Sequence, residues 1–211
     1  MGSVIVITSG KGGTGKTSLT GGVGAALAAQ GQQVLCIDGD VGLRNLDITL
    51  GMADTALMDF SDVIAGRCDL DRAVTPHPTA SGLYLLTAPL SLPADFPGQT
   101  GFRALLDQAR PRYDTILIDS PAGLGEGFQL AVCGADRAIV VAVNEPSSLR
   151  DAQRAVSHLA GLASVQLVVN RVRPRLLPPH CYLLSVPEHQ MMQQYLRCHS
   201  EPKVPDLRYL L

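Results

Sequence analysis

The sequence carries little charge, and its two signs nearly balance. Charged residues make up 17% of the 211 residues, the formal net charge is −2 and the isoelectric point is near 6.2. This balance excludes a protein drawn to nucleic acid by an overall positive field, but leaves a local basic patch open. The chain also lacks the run of about 18 apolar residues that a transmembrane helix requires. Because a strand pattern begins at Val4, we expect no signal peptide and a cytoplasmic protein.

Paired cysteines are missing as well. The five cysteines are Cys36, Cys68, Cys133, Cys181 and Cys198. None belongs to a Cys-x-x-Cys pair, which argues against an iron–sulfur redox ATPase and predicts free thiols in a reducing compartment. The His-Cys and Cys-His pairs near the end of the chain lack the usual gap between zinc ligands, so a zinc site is disfavoured.

The sequence does contain an alternation of strand patterns and helical patterns. Hydrophobic residues make up 46% of the chain, which suits strands covered on both faces. The alternation predicts one α/β domain, residues 1–211, with a mostly parallel sheet of about seven strands flanked by helices on both faces. The predicted strands are 4–7, 33–38, 84–88, 115–119, 138–143, 165–170 and 182–186. The predicted helices are 17–30, 57–66, 102–112 and 190–198, with a loop over 89–101.

A phosphate-binding motif lies between the first strand and the first helix. Residues 10–17 match Gly-x-x-x-x-Gly-Lys-Thr. Glycines let successive backbone N–H groups point at a phosphate, Lys16 reaches the β and γ oxygens, and Thr17 offers a hydroxyl to Mg²⁺. Lys11 is additional, and it lies where its side chain could extend to a nucleotide held by a second copy. The motif predicts ATP or ADP binding with Mg²⁺ and a homodimer in the ATP state.

The candidate nucleotide-binding residues of this segment are Gly10, Lys11, Gly12, Gly13, Thr14, Gly15, Lys16, Thr17 and Ser18.

Aspartates follow two predicted strands at the end where ligands gather in such sheets. Asp119 closes the fourth strand, at the position from which a carboxylate helps to hold Mg²⁺ in phosphate-loop enzymes. Asp38 closes the second strand in a similar manner. Asp40 lies just beyond, where its carboxylate could orient the water that attacks the γ-phosphoryl group. The alternative is that these aspartates only cap or solvate the turns that follow.

Hydrolysis requires that the negative charge growing on the transferred group is countered. Lys16, Mg²⁺ and the Lys11 of a second copy could counter it. We therefore take Lys11, Lys16 and Asp40 as candidate catalytic residues. The candidate metal ligands are Thr17, Asp38 and Asp119.

Five blocks of the sequence resemble the MinD/ParA ATPases. Residues 9–17 resemble their deviant Walker A box, 38–47 their switch I, and 119–123 their Walker B and switch II. Residues 145–152 resemble the start of the helix after the fifth strand, and 169–174 the loop beside the adenine. The blocks occur in order across residues 3–174. The resemblance is closer to MinD than to partition ATPases, mainly because of residues 42–47.

The resemblance implies a slow, partner-stimulated ATPase that dimerises with ATP, associates with the inner face of the cell membrane and helps to position the division septum. It implies that Asn170 hydrogen-bonds the adenine, with Arg171 and Pro187 also beside the nucleotide. It also implies that Asp151 and Arg154 lie on a helix surface for which a MinC-like inhibitor and a MinE-like activator compete. The alternative for these last two residues is a solvated helix face.

The end of the chain departs from this family. A helix is missing between Pro174 and the strand predicted at 182, so the region from about 175 is abbreviated. The family usually ends in a basic amphipathic helix that binds lipid. Here residues 203–211 carry only two cations, and Pro205 interrupts any helix. Membrane binding by this tail is therefore doubtful, although a dimer would strengthen a weak anchor.

Two other functions use the same motif. One is a ParA-type or flagellar-number-type positioning ATPase that acts on DNA or a polar scaffold, for which Arg171, Arg173 and Arg175 are the local basic candidate. The charge balance disfavours DNA. The other is a small-molecule kinase, which has no need of Lys11 and usually carries an arginine-rich lid that this sequence lacks.

Overall fold

The computed structural model describes residues 1–171 and a strand at 183–185. The strands are β1 (Ser3–Thr8), β2 (Val34–Asp38), β3 (Thr75–Pro76), β4 (Leu83–Leu86), β5 (Thr115–Asp119), β6 (Arg137–Val143), β7 (Ser164–Asn170) and β8 (Leu183–Ser185). The helices are α1 (Lys16–Ala29), α2 (Leu46–Thr49), α3 (Phe60–Ile64), α4 (Leu70–Ala73), α5 (Gly98–Ala109), α6 (Glu126–Val132) and α7 (Pro146–Ser157).

The strands form one sheet in the order β3-β4-β2-β5-β1-β6-β7-β8. All pairings from β4 to β7 are parallel, and the short edge strands β3 and β8 pair antiparallel. The predicted α/β class and mostly parallel sheet are confirmed, and each of the seven predicted strands has a counterpart. Strand β3 was not predicted, because two edge residues that include a proline carry no strand pattern.

Helices cover both faces of the sheet, as predicted. Alternate residues of β1 enter different cores: Val4 and Val6 pack with residues of α3 to α7, whereas Ile5 and Ile7 pack with residues of α1 and α2. The alternation follows from the two-residue period of a strand. The carboxyl ends of the strands are left to the connecting loops, and these loops carry the candidate site.

Two helix boundaries differ from the prediction. The helix expected at 57–66 begins only at Phe60, because the Asp59 side chain accepts hydrogen bonds from the N–H groups of Ser61 and Asp62 and so fixes the first turn there. The helix expected at 102–112 spans Gly98–Ala109, so the predicted loop over 89–101 was too long. Short helices α2 and α4 and helix α6 were not predicted. The helix predicted at 190–198 lies outside the described residues.

No described helix has the length and apolar character needed to cross a bilayer, and α1, with 14 residues, is the longest of them.

Helix α1 packs closely on the sheet through its glycines. A Cβ atom placed on Gly24 would lie 2.7 Å from Cys36 Sγ and 3.2 Å from Leu83 Cδ1, both in the buried core. A Cβ atom on Gly22, in the same helix, would meet nothing within 4 Å. Since interiors are close-packed, the face that carries Gly24 has no room for a methyl group.

We expect Gly24→Ala and Gly22→Ala to change stability in opposite directions. Gly24→Ala should lower the free energy of unfolding by about 1 to 3 kcal/mol through overpacking. Gly22→Ala should raise it by about 0.5 to 1 kcal/mol, because alanine loses less backbone entropy in a helix. Urea unfolding followed by circular dichroism measures both changes. Equal effects of the two variants would contradict the described packing of α1.

Candidate functional site

The phosphate loop joins β1 to α1 at the carboxyl edge of the sheet. Gly13 and Gly15 have φ angles of +73° and +95°, a region that side-chain-bearing residues rarely adopt. Gly15 is the N-cap of α1, and neither a side-chain cap nor an acidic residue serves the first turn of that helix. The first-turn N–H groups are thus not satisfied by capping side chains, which suits them to an anion. Thr14 Oγ1 is buried and has no hydrogen-bond partner within the described part of the chain.

Helix α7 lies directly against the start of this loop. A Cβ atom on Gly10 would lie 2.3 Å from the backbone oxygen of Asp151, which is a backbone obstacle that cannot rotate away. Ser9 Oγ donates to the Lys11 carbonyl oxygen at 2.6 Å and fixes the turn that follows. Only glycine fits at position 10, because α7 and the phosphate loop are in contact there.

Lys16 is a buried cation at the first position of α1. Desolvation lowers the pKa of its ammonium group, and the negative charges of Asp119 and Asp40 partly oppose that shift. A buried ammonium group requires anionic neighbours, and these two carboxylates supply them in the described structure.

Asp119 is buried at the end of β5 and is held by two hydroxyl groups of α1. Thr20 Oγ1 donates to Asp119 Oδ1 at 3.2 Å, and the Thr17 hydroxyl hydrogen-bonds the same carboxylate. Burial raises the pKa of Asp119 to about 6, and the charge of Asp38 also raises it, whereas the Thr17 hydrogen bond and the charge of Lys16 lower it. The structure thus brings Lys16, Thr17 and Asp119 together, and their roles toward phosphate and Mg²⁺ stay predictions. Thr20 was missed, although its position one helical turn after Lys16 places it on the same side of α1.

Asp38 organises the loop that follows β2. Its Oδ1 accepts from the Asp40 N–H at 2.9 Å, and its Oδ2 accepts from the Leu46 N–H at 3.0 Å. Burial raises the pKa of Asp38, and these two backbone hydrogen bonds lower it. This geometry is that of the turn-capping alternative, and a role as metal ligand stays a prediction.

Asp40 lies between the phosphate loop and an adjoining cavity. Desolvation raises the pKa of its carboxyl group and the charge of Lys16 opposes that shift. The cavity has a volume of about 500 Å³, and Pro121 and Phe128 also line it. The Asp40 carbonyl oxygen accepts from the N–H of Arg44, whose φ of +47° is a left-handed conformation for a non-glycine residue. Strain of this kind concentrates at functional loops.

Lys11 lies at the rim of a second cavity, of ≈ 580 Å³, that borders the phosphate loop. Its Nζ atom is 3.2 Å from Oε2 of Glu145, and the two side chains are 45% and 59% exposed. Asn144 and Arg171 line the same cavity. No role was predicted for Glu145 by itself; it is the N-cap of α7, two residues after the end of β6, and it begins the block at 145–152 that resembles the start of that helix in the family.

Asn170 closes β7 and contacts the phosphate loop. Its Nδ2 donates to the Thr14 carbonyl oxygen at 2.9 Å, and its Oδ1 accepts from the Arg171 N–H at 2.8 Å. A Cβ atom on Gly15 would lie 2.3 Å from the same Nδ2. Asn170 therefore lies at the site, while its contact with adenine stays a prediction.

The predicted partner-binding residues lie on α7, beside the site. Arg154 Nη1 is 3.7 Å from Asp151 Oδ1, one helical turn apart, and the Arg154 side chain is largely exposed. Ser18 is exposed on α1. Pro187, Arg173 and Arg175 lie outside the described residues.

Comparison with known proteins identifies the family. The AAA domain family matches residues 2–176. The septum site-determining protein MinD of Synechocystis is 40% identical over 179 residues, which are 84% of this chain and 67% of that protein. The chain thus spans about two thirds of the length of this curated relative.

Solved structures agree with this comparison. The MinC:MinD cell division complex of Aquifex aeolicus gives a TM-score of 0.77 at 34% identity and covers 98% of this chain and 84% of that chain. Pyrococcus horikoshii MinD in complex with Mg-ADP gives a TM-score of 0.72 at 29% identity, over 98% of this chain and 80% of that chain. On its sequence, its fold and the arrangement of its phosphate loop and carboxylates, the chain belongs to the MinD family of septum site-determining proteins.

Proposed function

We propose that the protein is a Mg²⁺-dependent ATPase switch that takes part in placing the division septum. ATP binding brings two copies together, and hydrolysis to ADP and phosphate separates them. The observation that carries this proposal is the group formed by buried Lys16 and Asp119 with partly buried Asp40, beside the uncapped first turn of α1. The relatives named above support it, because they are septum site-determining proteins and one of them was solved with Mg-ADP.

The residues present fit a magnesium nucleotide. The N–H groups of the phosphate loop and Lys16 would hold the phosphates. The Thr17 hydroxyl and the Asp119 carboxylate are oxygen donors of the kind that Mg²⁺ prefers. No cluster of three His, Cys, Asp or Glu side chains suited to a metal occurs among the described residues, so Mg²⁺ would also depend on phosphate oxygens and water.

Hydrolysis would depend on position and charge. Bound Mg²⁺ supplies charge that stabilises the transferred phosphoryl group. Asp40, at the open side of the group, would orient the attacking water, while Lys16 counters the growing negative charge. The Lys11 of the other copy would add a second cation.

Lys11 must leave Glu145 before it can reach another copy. The pair is exposed, and exposed ion pairs contribute about 0 to 1 kcal/mol. Exchange of Glu145 for a nucleotide phosphate therefore costs little. Glu145 would keep the lysine at the rim of the cleft in the free protein.

A MinC-like inhibitor and a MinE-like activator are the proposed partners, with Asp151 and Arg154 on the α7 surface as their contacts. The solved MinC:MinD complex supports the first. We propose a cytoplasmic protein. Any attachment to the inner face of the membrane would depend on residues 203–211, which lie outside the described residues. The DNA-acting alternative has less support, because Arg171 is its only described basic candidate.

We expect Asp40→Ala to separate binding from hydrolysis. The variant should bind ATP but hydrolyse it about 100-fold or more slowly, because it lacks the group that orients water. It should therefore accumulate as a dimer with ATP but not with ADP, as measured by size-exclusion chromatography with light scattering. Asp40→Asn tests whether the negative charge or only the shape is needed. Normal hydrolysis by Asp40→Ala would exclude the catalytic role.

We expect Lys11→Ala and Glu145→Gln to differ in dimer formation. Lys11→Ala should bind fluorescent ATP as one copy yet remain monomeric, because it lacks the cation that crosses to the other nucleotide. Glu145→Gln removes the partner of Lys11 within the same chain but keeps the cation, so its dimer should persist. A dimer of normal strength in Lys11→Ala would contradict the proposal that Lys11 acts across the interface.

We expect Asp119 to make the free protein less stable as the pH rises. Its folded pKa of about 6 is above that of an unfolded aspartate, so ionisation of this group lowers the free energy of unfolding. This cost is absent below about pH 4 and grows between pH 4 and 6. Above pH 6 the cost is on the order of 3 kcal/mol. Asp119→Asn has no such cost. Urea unfolding with a chelator present should therefore show that the stability difference between variant and wild type widens from pH 5 to 7.5, and a constant difference would contradict this.

A further inference from the structure

The two threonine hydroxyl groups of α1 that hold the Asp119 carboxylate differ in exposure. Thr17 is partly exposed, whereas Thr20 is 0% exposed. The oxygen of the Thr17 hydroxyl is therefore accessible to an ion that enters from solvent. The Thr20 hydroxyl lies in the interior between α1 and β5, where it can bind the carboxylate but not the ion. The two groups thus have different uses.

The Thr20 hydroxyl has one proton and two acceptors within reach. Its Oγ1 atom is 3.0 Å from the Lys16 carbonyl oxygen and 3.2 Å from Asp119 Oδ1. The first contact is the usual one between a helical threonine and the carbonyl group one turn earlier. The second gains strength when Asp119 is ionised, because a hydrogen bond to a charged acceptor is about twice as strong as one between neutral groups. An ionised Asp119 therefore attracts the proton of Thr20.

The packing of α1 on β5 brings Thr20 to Asp119. A Cβ atom on Gly24 would lie 3.6 Å from Leu117 Cδ1, so the helix lies close to the strand at that point. Four residues of helix span about 6 Å, and two residues of strand span about 6.6 Å. Because α1 runs back along β5, the helix residue four positions before Gly24 lies beside the strand residue two positions after Leu117. These residues are Thr20 and Asp119.

We propose that Thr20 is a positioning residue for Mg²⁺, because its hydroxyl orients the Asp119 carboxylate that holds the ion. The inference rests on the proposed function, in which Thr17 and Asp119 take part in binding Mg²⁺ beside the nucleotide phosphates. It adds a residue that contacts neither the ion nor the nucleotide. Loss of a group that orients a metal ligand typically costs about 10- to 100-fold in metal affinity or activity.

The Asp119 side chain needs such an anchor, because the other contacts of this residue fix its backbone. Asp119 is paired with Ile7 and Asp38 in the sheet, and its carbonyl oxygen accepts from the Gly39 N–H at 2.9 Å. These contacts do not restrict rotation about the side-chain bonds. A hydrogen bond from a buried hydroxyl to Oδ1 does restrict it, and a ligand that is already oriented loses less conformational entropy when it binds.

The test compares Thr20→Val and Thr20→Ser with Thr115→Val in the full chain. Valine keeps the shape of threonine without the hydroxyl, whereas serine keeps the hydroxyl. Thr115 is a matched control, because it is a buried threonine at the other end of β5 whose hydroxyl donates to Gln32 Oε1 at 2.8 Å. Calorimetric titration of Mg²⁺ into the ADP complex measures the dissociation constant of the ion. Titration of ADP in the presence of a chelator measures nucleotide binding without it.

We expect Thr20→Val to raise the Mg²⁺ dissociation constant about tenfold or more. Thr20→Ser should bind Mg²⁺ as wild type does, and Thr115→Val should leave Mg²⁺ binding unchanged. Binding of ADP without Mg²⁺ should be unchanged in all three variants. An unchanged Mg²⁺ constant in Thr20→Val overturns the proposal, and so does an equal loss in Thr115→Val. If circular dichroism shows that Thr20→Val is unfolded, Thr20→Ala is measured in its place against the same expectation.

A double-mutant cycle distinguishes positioning from general support of the fold. If Thr20 acts through Asp119, Thr20→Val should weaken Mg²⁺ binding no further in an Asp119→Asn background, because the two residues share one interaction. Losses that add independently in the double variant would contradict the positioning role.

The outcome also separates this proposal from the proposed function. A wild-type ADP complex that does not bind Mg²⁺ contradicts the Mg²⁺-dependent ATPase and the role of Thr20 together. Wild-type binding of Mg²⁺ that survives Thr20→Val contradicts the role of Thr20 alone.

Discussion

The structure depends on a buried carboxylate whose loss of hydration must be compensated by hydrogen-bond donors and a nearby cation. Asp119 lies in the core at the end of β5, where hydroxyl groups of α1 and the charge of Lys16 compensate its desolvation. Its backbone is used as well, since its carbonyl oxygen accepts from the Gly39 N–H at 2.9 Å. One residue thus connects α1 with the loop after β2. The pKa of Asp119 is raised because its burial outweighs these compensating groups, and the charge of Asp38 adds to the shift.

Strand order explains why distant parts of the sequence meet there. Strands β2, β5, β1, β6 and β7 are neighbours and run parallel, so their carboxyl ends lie in one row. Asp38, Asp119, the phosphate loop, Glu145 and Asn170 follow these ends in that order across the edge. In parallel sheets this edge is where ligands bind.

The sequence predicted those features that depend on local patterns. The strands, α1 and the phosphate loop carry strong patterns of apolar residues and glycines, and the structure has all of them. The pairing of Lys11 with Glu145 and the hydrogen bond between Thr20 and Asp119 join residues about 100 or more positions apart, and no local pattern reveals them. The same limit applies to Asp38. Its position at a strand end suggested a metal ligand, but only the folded loop shows both of its oxygens accepting backbone N–H groups.

The contact of Gly10 with the backbone of Asp151 has a mechanical consequence. At Gly10 no gap separates the loop from the backbone of α7, so at that point there is no free volume to absorb a displacement of either one. A change in the loop has to be accompanied by a movement of the helix, or else be resisted by it. The outer surface of α7 is therefore coupled mechanically to the phosphate loop, and a force applied to that surface would be transmitted to the loop at Gly10.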